Sequence, residues 1–170
     1  QAFLAAQAVK HNVSQAVSIR LASGIDHHDD SWETEHGPAL LNGFNALSKL
    51  MSFLKENNDA SGKSLWDRTM IVVSSEFART PTLNSRGGRD HHLSSSCLVA
   101  GMGIKGNTVI GGTDSLYSRE LIDPVTGQVG GDFLIRPPDV HATVLKAMGL
   151  SYEHLSNQDP NIIDAMLVEP

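Results

Sequence analysis

Hydrophobic positions along the chain fall into separated groups whose periods differ. Gln1 to Lys10 (QAFLAAQAVK) is Ala-rich and suits a helix, with Asn12 as its stop. Ser14 to Leu21 (SQAVSIRL) is partly alternating and carries β-branched residues, which predicts a strand. From Glu33 to Asn57, residues Leu40, Leu41, Phe44, Leu47, Leu50, Met51 and Leu54 recur every three or four positions. That spacing predicts a long helix with one apolar face. Met70-Ile71-Val72-Val73 is an unbroken apolar run and reads as a fully buried strand. Ser96 to Gly101 reads as another short buried strand and Thr108 to Gly111 as a short edge strand. Residues 113 to 136 look irregular, with turn signals at Asp123-Pro124 and Gly130-Gly131. Pro137-Pro138-Asp139 opens a helix over about Val140 to Met148 that Gly149 caps, and the tail from Ser151 carries little pattern.

A strand, a long helix and a second strand in that order make a βαβ unit. The expected fold class is therefore α/β, with a mostly parallel sheet covered by helices in an α/β/α sandwich. No linker or repeat divides residues 1–170, so a single domain is expected. Three or four strands make a thin sheet for this length, which suggests part of a larger sandwich. Its open edge and apolar face predict association with a missing half or with a second copy.

Composition narrows the function classes. With 170 residues, 40% apolar and 19% charged, the chain can bury a sizeable core. A net charge of −6 argues against non-specific nucleic-acid binding, and 5% aromatic residues leave little for a base-stacking platform. No apolar stretch is long enough for a transmembrane segment. The single Cys97 cannot form an internal disulfide. The helical pattern is already running at Gln1, so a further segment upstream is expected.

Candidate chemistry gathers at the ends of two predicted strands. Gly24-Ile25-Asp26-His27-His28-Asp29-Asp30 follows the first, and the central run ends in Ser74-Ser75-Glu76 before a loop closing on Gly88-Arg89-Asp90-His91-His92. Asp, Glu and His at strand ends suit a divalent metal, and an acidic surface loop with incidental histidines accounts for the first group equally well. Glu76 is either a metal ligand or the partner of Arg79 or Arg89, and the two arginines either hold an oxyanion or neutralise these carboxylates. His141 reads as a partly exposed helical histidine. No nucleophile elbow, phosphate-binding loop, dinucleotide fingerprint or paired-cysteine zinc motif occurs.

Ser75-Glu76-Phe77-Ala78-Arg79-Thr80-Pro81, Gly88-Arg89-Asp90-His91-His92 and Ala100-Gly101-Met102-Gly103-Ile104-Lys105-Gly106 resemble, in order, the signatures of the bacterial domain-of-unknown-function family 1501. Gly24-Ile25-Asp26-His27-His28 and Ile110-Gly111-Gly112-Thr113-Asp114 resemble two further phrases of that family. The family is similar to sulfatases and to the alkaline phosphatase superfamily. The resemblance implies an alkaline-phosphatase-like sandwich, of which this chain would be the C-terminal portion. It also implies a metal-assisted site for a small anionic phosphate or sulfate ester, with the nucleophile in the other half, and a periplasmic or secreted location. Carried over, Asp26, His28, Glu76, Asp90 and His91 would hold a divalent metal, zinc or manganese ahead of magnesium or calcium, and Arg79 would act on the substrate oxyanion or orient Glu76. The chain departs from the superfamily's pattern at Phe77, where relatives carry a ligating His, so a two-metal site would need His91 or His92 instead. Ala78 replaces the family's Gly. A degenerate, non-catalytic metal- or anion-binding module of the same fold is the alternative that these departures allow.

Overall fold

Two helices and a set of long loops carry the first half of the chain. In the computed structural model, which describes residues 1–168, helix α1 spans Ala2–Lys10 and ends before Asn12, whose φ is 54°. Helix α2 spans Gly37–Glu56, preceded by a π-helical turn over Trp32–His36. The predicted long helix is thus present, with Pro38 in its first turn, where the missing N–H costs nothing. Leu47 and Leu54 of its apolar face are buried, while Leu41 and Phe44 are exposed. The polypeptide then forms a short 3-10 turn at Trp66–Arg68 and four short strands: β1 (Met70–Val73), β2 (Ala78–Arg79), β3 (His91–His92) and β4 (Leu98–Gly101). Helix α3 (Pro137–Ala147) and 3-10 turns at Glu153–Gln158 and Asp164–Met166 complete it. No described helix is long and apolar enough to cross a membrane.

Contacts divide the chain into two compact units. The first comprises Gln1–Thr69 with Ser75–Ser95, and the second Met70–Ser74 with Ser96–Pro170.

The expected α/β/α sandwich is not what forms. The described residues contain two sheets, each of two antiparallel strands, β1 with β4 and β2 with β3. Pairing of Met70 with Gly101 and of Val73 with Leu98 runs the strands in opposite directions. No large parallel sheet is present, so the alkaline-phosphatase-like architecture is excluded. Two local misreadings produced it. Ser14 to Leu21 takes no strand conformation, and Val13 and Val17 are 77% and 43% exposed. Alternation supplies a propensity, but a strand needs a ladder partner and a face to bury. Without that strand the βαβ unit disappears. The apolar run at β1 is likewise only partly buried, with Val72 half exposed, and Thr108 to Gly111 forms no strand.

The second unit builds its core from segments with little sequence pattern. Ile122, Ile163, Ala165 and Met166 are buried together, with Val99, Ile104, Ile110, Phe133, Ile135 and Val140 packed against them. Ile122 exchanges both backbone hydrogen bonds with Phe133, at 2.8 and 3.1 Å, so the irregular 113–136 stretch is pinned as a narrow antiparallel ribbon. Asp139, fully buried in the first turn of α3, accepts hydrogen bonds from the Arg136 backbone and guanidinium and from the Asn161 backbone N–H. Thr143, one turn on, donates to the Asp139 carbonyl and accepts from the Ile163 N–H. This polar network ties the tail to the helix, and no apolar periodicity announces it.

Candidate metal centre

All the residues of the site lie in the first unit, on the 24–30 loop and on the β2–β3 hairpin. The hairpin pairs Ala78 with His92 and Arg79 with His91, which puts Arg79 and His91 side by side at the end next to its loop. Its loop is closed by Asn84. The Asn84 carbonyl oxygen accepts the N–H groups of Arg86 and Gly88, and its amide donates to the His28 carbonyl and to Asp90 Oδ1. The 24–30 loop lies along this hairpin: Arg89 N–H donates to the His27 carbonyl, and Asp29 pairs with Gly87. Gly88 allows the approach, since a Cβ there would sit 2.1 Å from the Asp29 nitrogen and from the His28 carbonyl carbon.

This scaffold brings three donor atoms to one point. Asp26 Oδ1 is 3.1 Å from His28 Nε2 and 3.5 Å from His91 Nε2, and the two nitrogens are 3.3 Å apart. Donors bound to one tetrahedral ion at about 2.0–2.1 Å stand about 3.3–3.4 Å from one another. The spacing of Asp26, His28 and His91 therefore matches one face of a metal tetrahedron. Asp26 is exposed, His91 exposed and His28 partly buried.

The protonation pattern points the same way. His28 Nδ1 lies 2.7 Å from Asp90 Oδ1. Its Nε2 lies 3.2 Å from Arg79 Nη1, and a guanidinium only donates, so in the neutral ring Nε2 carries the lone pair and Nδ1 the proton. That is the tautomer of a ligating histidine whose other nitrogen is held by a carboxylate. Hydrogen bonds from His28 and then Asn84 hold the Asp90 carboxyl below its usual range. The hydrogen bond from Arg79 Nη2, at 2.5 Å, holds Asp26 down at about 2. Both are carboxylates at neutral pH.

Aromatic contacts fix the remaining side chains. The Phe77 ring stacks on His91 with centroids 3.8 Å apart and 19° between planes, and the Arg79 guanidinium lies 5.1 Å from the Phe77 centroid. Phe77 is thus the platform for two neighbouring side chains of the site. Glu76 is not brought in: it is exposed and accepts a hydrogen bond from Ser75 at 3.2 Å. Asp90 joins the cluster through His28 instead of facing the triad. Arg89 is spent on the carbonyls of Thr80 and Pro81 and on the face of Trp32, so it neutralises no carboxylate here.

Sequence reasoning missed Asn84 and a buried histidine pair. His27 Nδ1 lies 3.2 Å from His36 Nδ1, and His36 stacks on Trp32 at 3.8 Å. Burial, and then the neighbouring positive groups of His27, Arg79 and Arg89, lower the His36 pKa. The π-helical turn aims His36 inward, and a straight helical projection of the sequence does not reveal that. Asn84 had a legible signal, an Asn four residues before a Gly-Arg-Asp loop end, where Asx turns are common.

No curated protein and no solved structure matches the chain. The family described as "Protein of unknown function (DUF1501)" matches residues 1–160. That match spans nearly the whole sequence and includes every member of the cluster, and the chain belongs to this family.

Proposed function

We propose that the first unit carries a divalent-metal centre on Asp26, His28 and His91, and that this centre serves the hydrolysis of phosphate or sulfate esters. One observation carries the reading: three donor atoms 3.1, 3.3 and 3.5 Å apart, one of them on a histidine oriented by Asp90. Two imidazoles and one carboxylate at tetrahedral spacing favour zinc, then manganese, over the oxygen-loving magnesium and calcium. When bound, such an ion supplies Lewis acidity at the ester oxygen and acidifies the nucleophile. Asp26 contributes the negative charge, and Asp90 holds the His28 proton on Nδ1. Phe77 keeps the His91 ring in plane, and Arg79 presents its guanidinium at the rim of the site. Sulfatase-like chemistry is the finer form of this proposal.

The test is a zinc titration by competition with a chromogenic chelator, followed by hydrolysis of p-nitrophenyl phosphate and p-nitrophenyl sulfate. One zinc per chain and ester turnover lost on chelation are expected. A specific observation favours a second reading, a metal-binding module without turnover: among the described residues, no serine or cysteine side chain hydrogen-bonds to Asp26, His28, His91, Asp90 or Arg79. One zinc per chain with neither ester cleaved would establish that module. Absence of zinc binding would end both readings.

A further inference from the structure

We propose that Arg79 and the metal ion compete for the His28 ligand atom, and that metal entry turns the Arg79 guanidinium into the oxyanion-binding group of the site. The inference rests on the metal reading above and deepens it.

The hydrogen-bond inventory of Arg79 carries the argument. Nη1 donates to the Arg89 carbonyl at 3.0 Å and to His28 Nε2 at 3.2 Å. Nη2 donates to the Ile25 carbonyl at 3.2 Å and to Asp26 Oδ1 at 2.5 Å. Each terminal nitrogen thus spends one N–H on a backbone carbonyl and one on a metal-ligand atom. A ligand bond of about 2.1 Å would need the His28 lone pair that Nη1 now occupies. Nitrogen has one lone pair there, so guanidinium and ion exclude each other at His28. Without an ion, Arg79 is the cation that keeps Asp26 and His28 together.

Displacement at His28 frees one N–H of Nη1 but not the side chain. The Arg89 and Ile25 carbonyls still hold the two terminal nitrogens, and the guanidinium lies over the Phe77 ring. The side chain is only 11% exposed, so a freed donor without an acceptor is costly. A guanidinium N–H freed beside a bound cation suits an oxygen of a tetrahedral dianion, which means a phosphoryl or sulfuryl group. Oxyanion affinity therefore follows metal occupancy.

The experiment compares wild type with Arg79→Gln. Zinc affinity is read by chelator competition, then inorganic phosphate is titrated calorimetrically into zinc-loaded and chelated protein. Removing the competitor should tighten zinc about tenfold. Phosphate binding to the zinc-loaded variant should fall about tenfold below zinc-loaded wild type, and chelated wild type should bind phosphate no better than chelated variant. A purely structural arginine would weaken both ligands together, and that result overturns the proposal. Arg79→Lys guards against misfolding: it keeps the positive charge but loses the planar fork anchored on two carbonyls, so zinc should tighten in the same direction by less. Wild-type zinc binding with no gain in either variant removes this inference and leaves the metal reading standing. No zinc on any of the three removes both, and zinc on Arg79→Gln alone supports both.

Discussion

His28 donates its Nδ1 proton to Asp90 across 2.7 Å, and this bond reaches between residues 62 positions apart. It fixes which nitrogen of the ring is free for a cation. Asp90→Ala should therefore weaken zinc by about 10- to 100-fold without deleting a ligand. Asp90→Asn keeps an acceptor oxygen and should lose less. Chelator competition measures both, and an unchanged zinc affinity in Asp90→Ala would remove the assigned tautomer.

Phe77 should matter through geometry and not through charge. Its stack on His91 is the kind of aromatic contact worth about 0.5–1.5 kcal/mol. Phe77→Leu should cost about 3- to 10-fold in zinc affinity, and Phe77→Tyr should restore most of it. In the ion-free protein, the His91 ring protons should move downfield in Phe77→Leu as the ring current disappears. Proton NMR that shows no such movement would mean the rings do not stack in solution.

Gly88 sets how closely the two site loops can approach. A methyl at that position meets backbone atoms of Asp29 and His28, which cannot move aside as a flexible side chain can. Gly88→Ala should cost about 1–3 kcal/mol in the first unit and abolish zinc binding. Thermal unfolding and the zinc titration together check this, and a variant with wild-type affinity would show that the loops need not touch.

Asp139 should make the second unit acid-sensitive. Burial pushes its carboxyl upward, but the hydrogen bonds from Arg136 and from the Asn161 backbone outweigh burial and leave it below the ordinary value. A carboxyl with a lowered native value stabilises the fold fully above about pH 4 and loses that contribution as the pH falls through the native value. Asp139→Asn should therefore flatten the fall of the unfolding midpoint between about pH 5 and pH 2. Asp139→Ala, which leaves the Arg136 and Asn161 backbone N–H groups without their acceptor, should cost about 1–3 kcal/mol in denaturant unfolding.

The helices were the legible part of this fold, because a 3.6-residue period reports burial within one element. α1, α2 and α3 appear where the pattern predicts them, and Gly149, with φ of 70°, follows α3 as its cap suggests. The sheet was misread because strand direction and pairing depend on partners far along the chain. Nothing in Met70-Ile71-Val72-Val73 says that Leu98 to Gly101 will lie against it in reverse. Ile163 and Met166 are core residues in a tail without periodicity, so their burial is decided by the Asp139–Asn161 and Thr143–Ile163 bonds. At the site, Asp26, His28 and His91 were named from residue type and loop position, and the structure brings them together. Glu76 shared both signals, yet it lies in the bend between β1 and β2 and stays outside the cluster, with Ser75 as its hydrogen-bond donor.

Asp26 and His91 stand 65 positions apart in sequence and 3.5 Å apart in space. An ion gripping both would act as a removable cross-link, closing a ring that contains α2, the Trp66–Arg68 turn, β1, β2 and the hairpin loop. Cross-links across rings of this size remove much of the unfolded chain's freedom. Metal supply would then govern how long the folded first unit survives proteases, whether or not an ester is ever cleaved there.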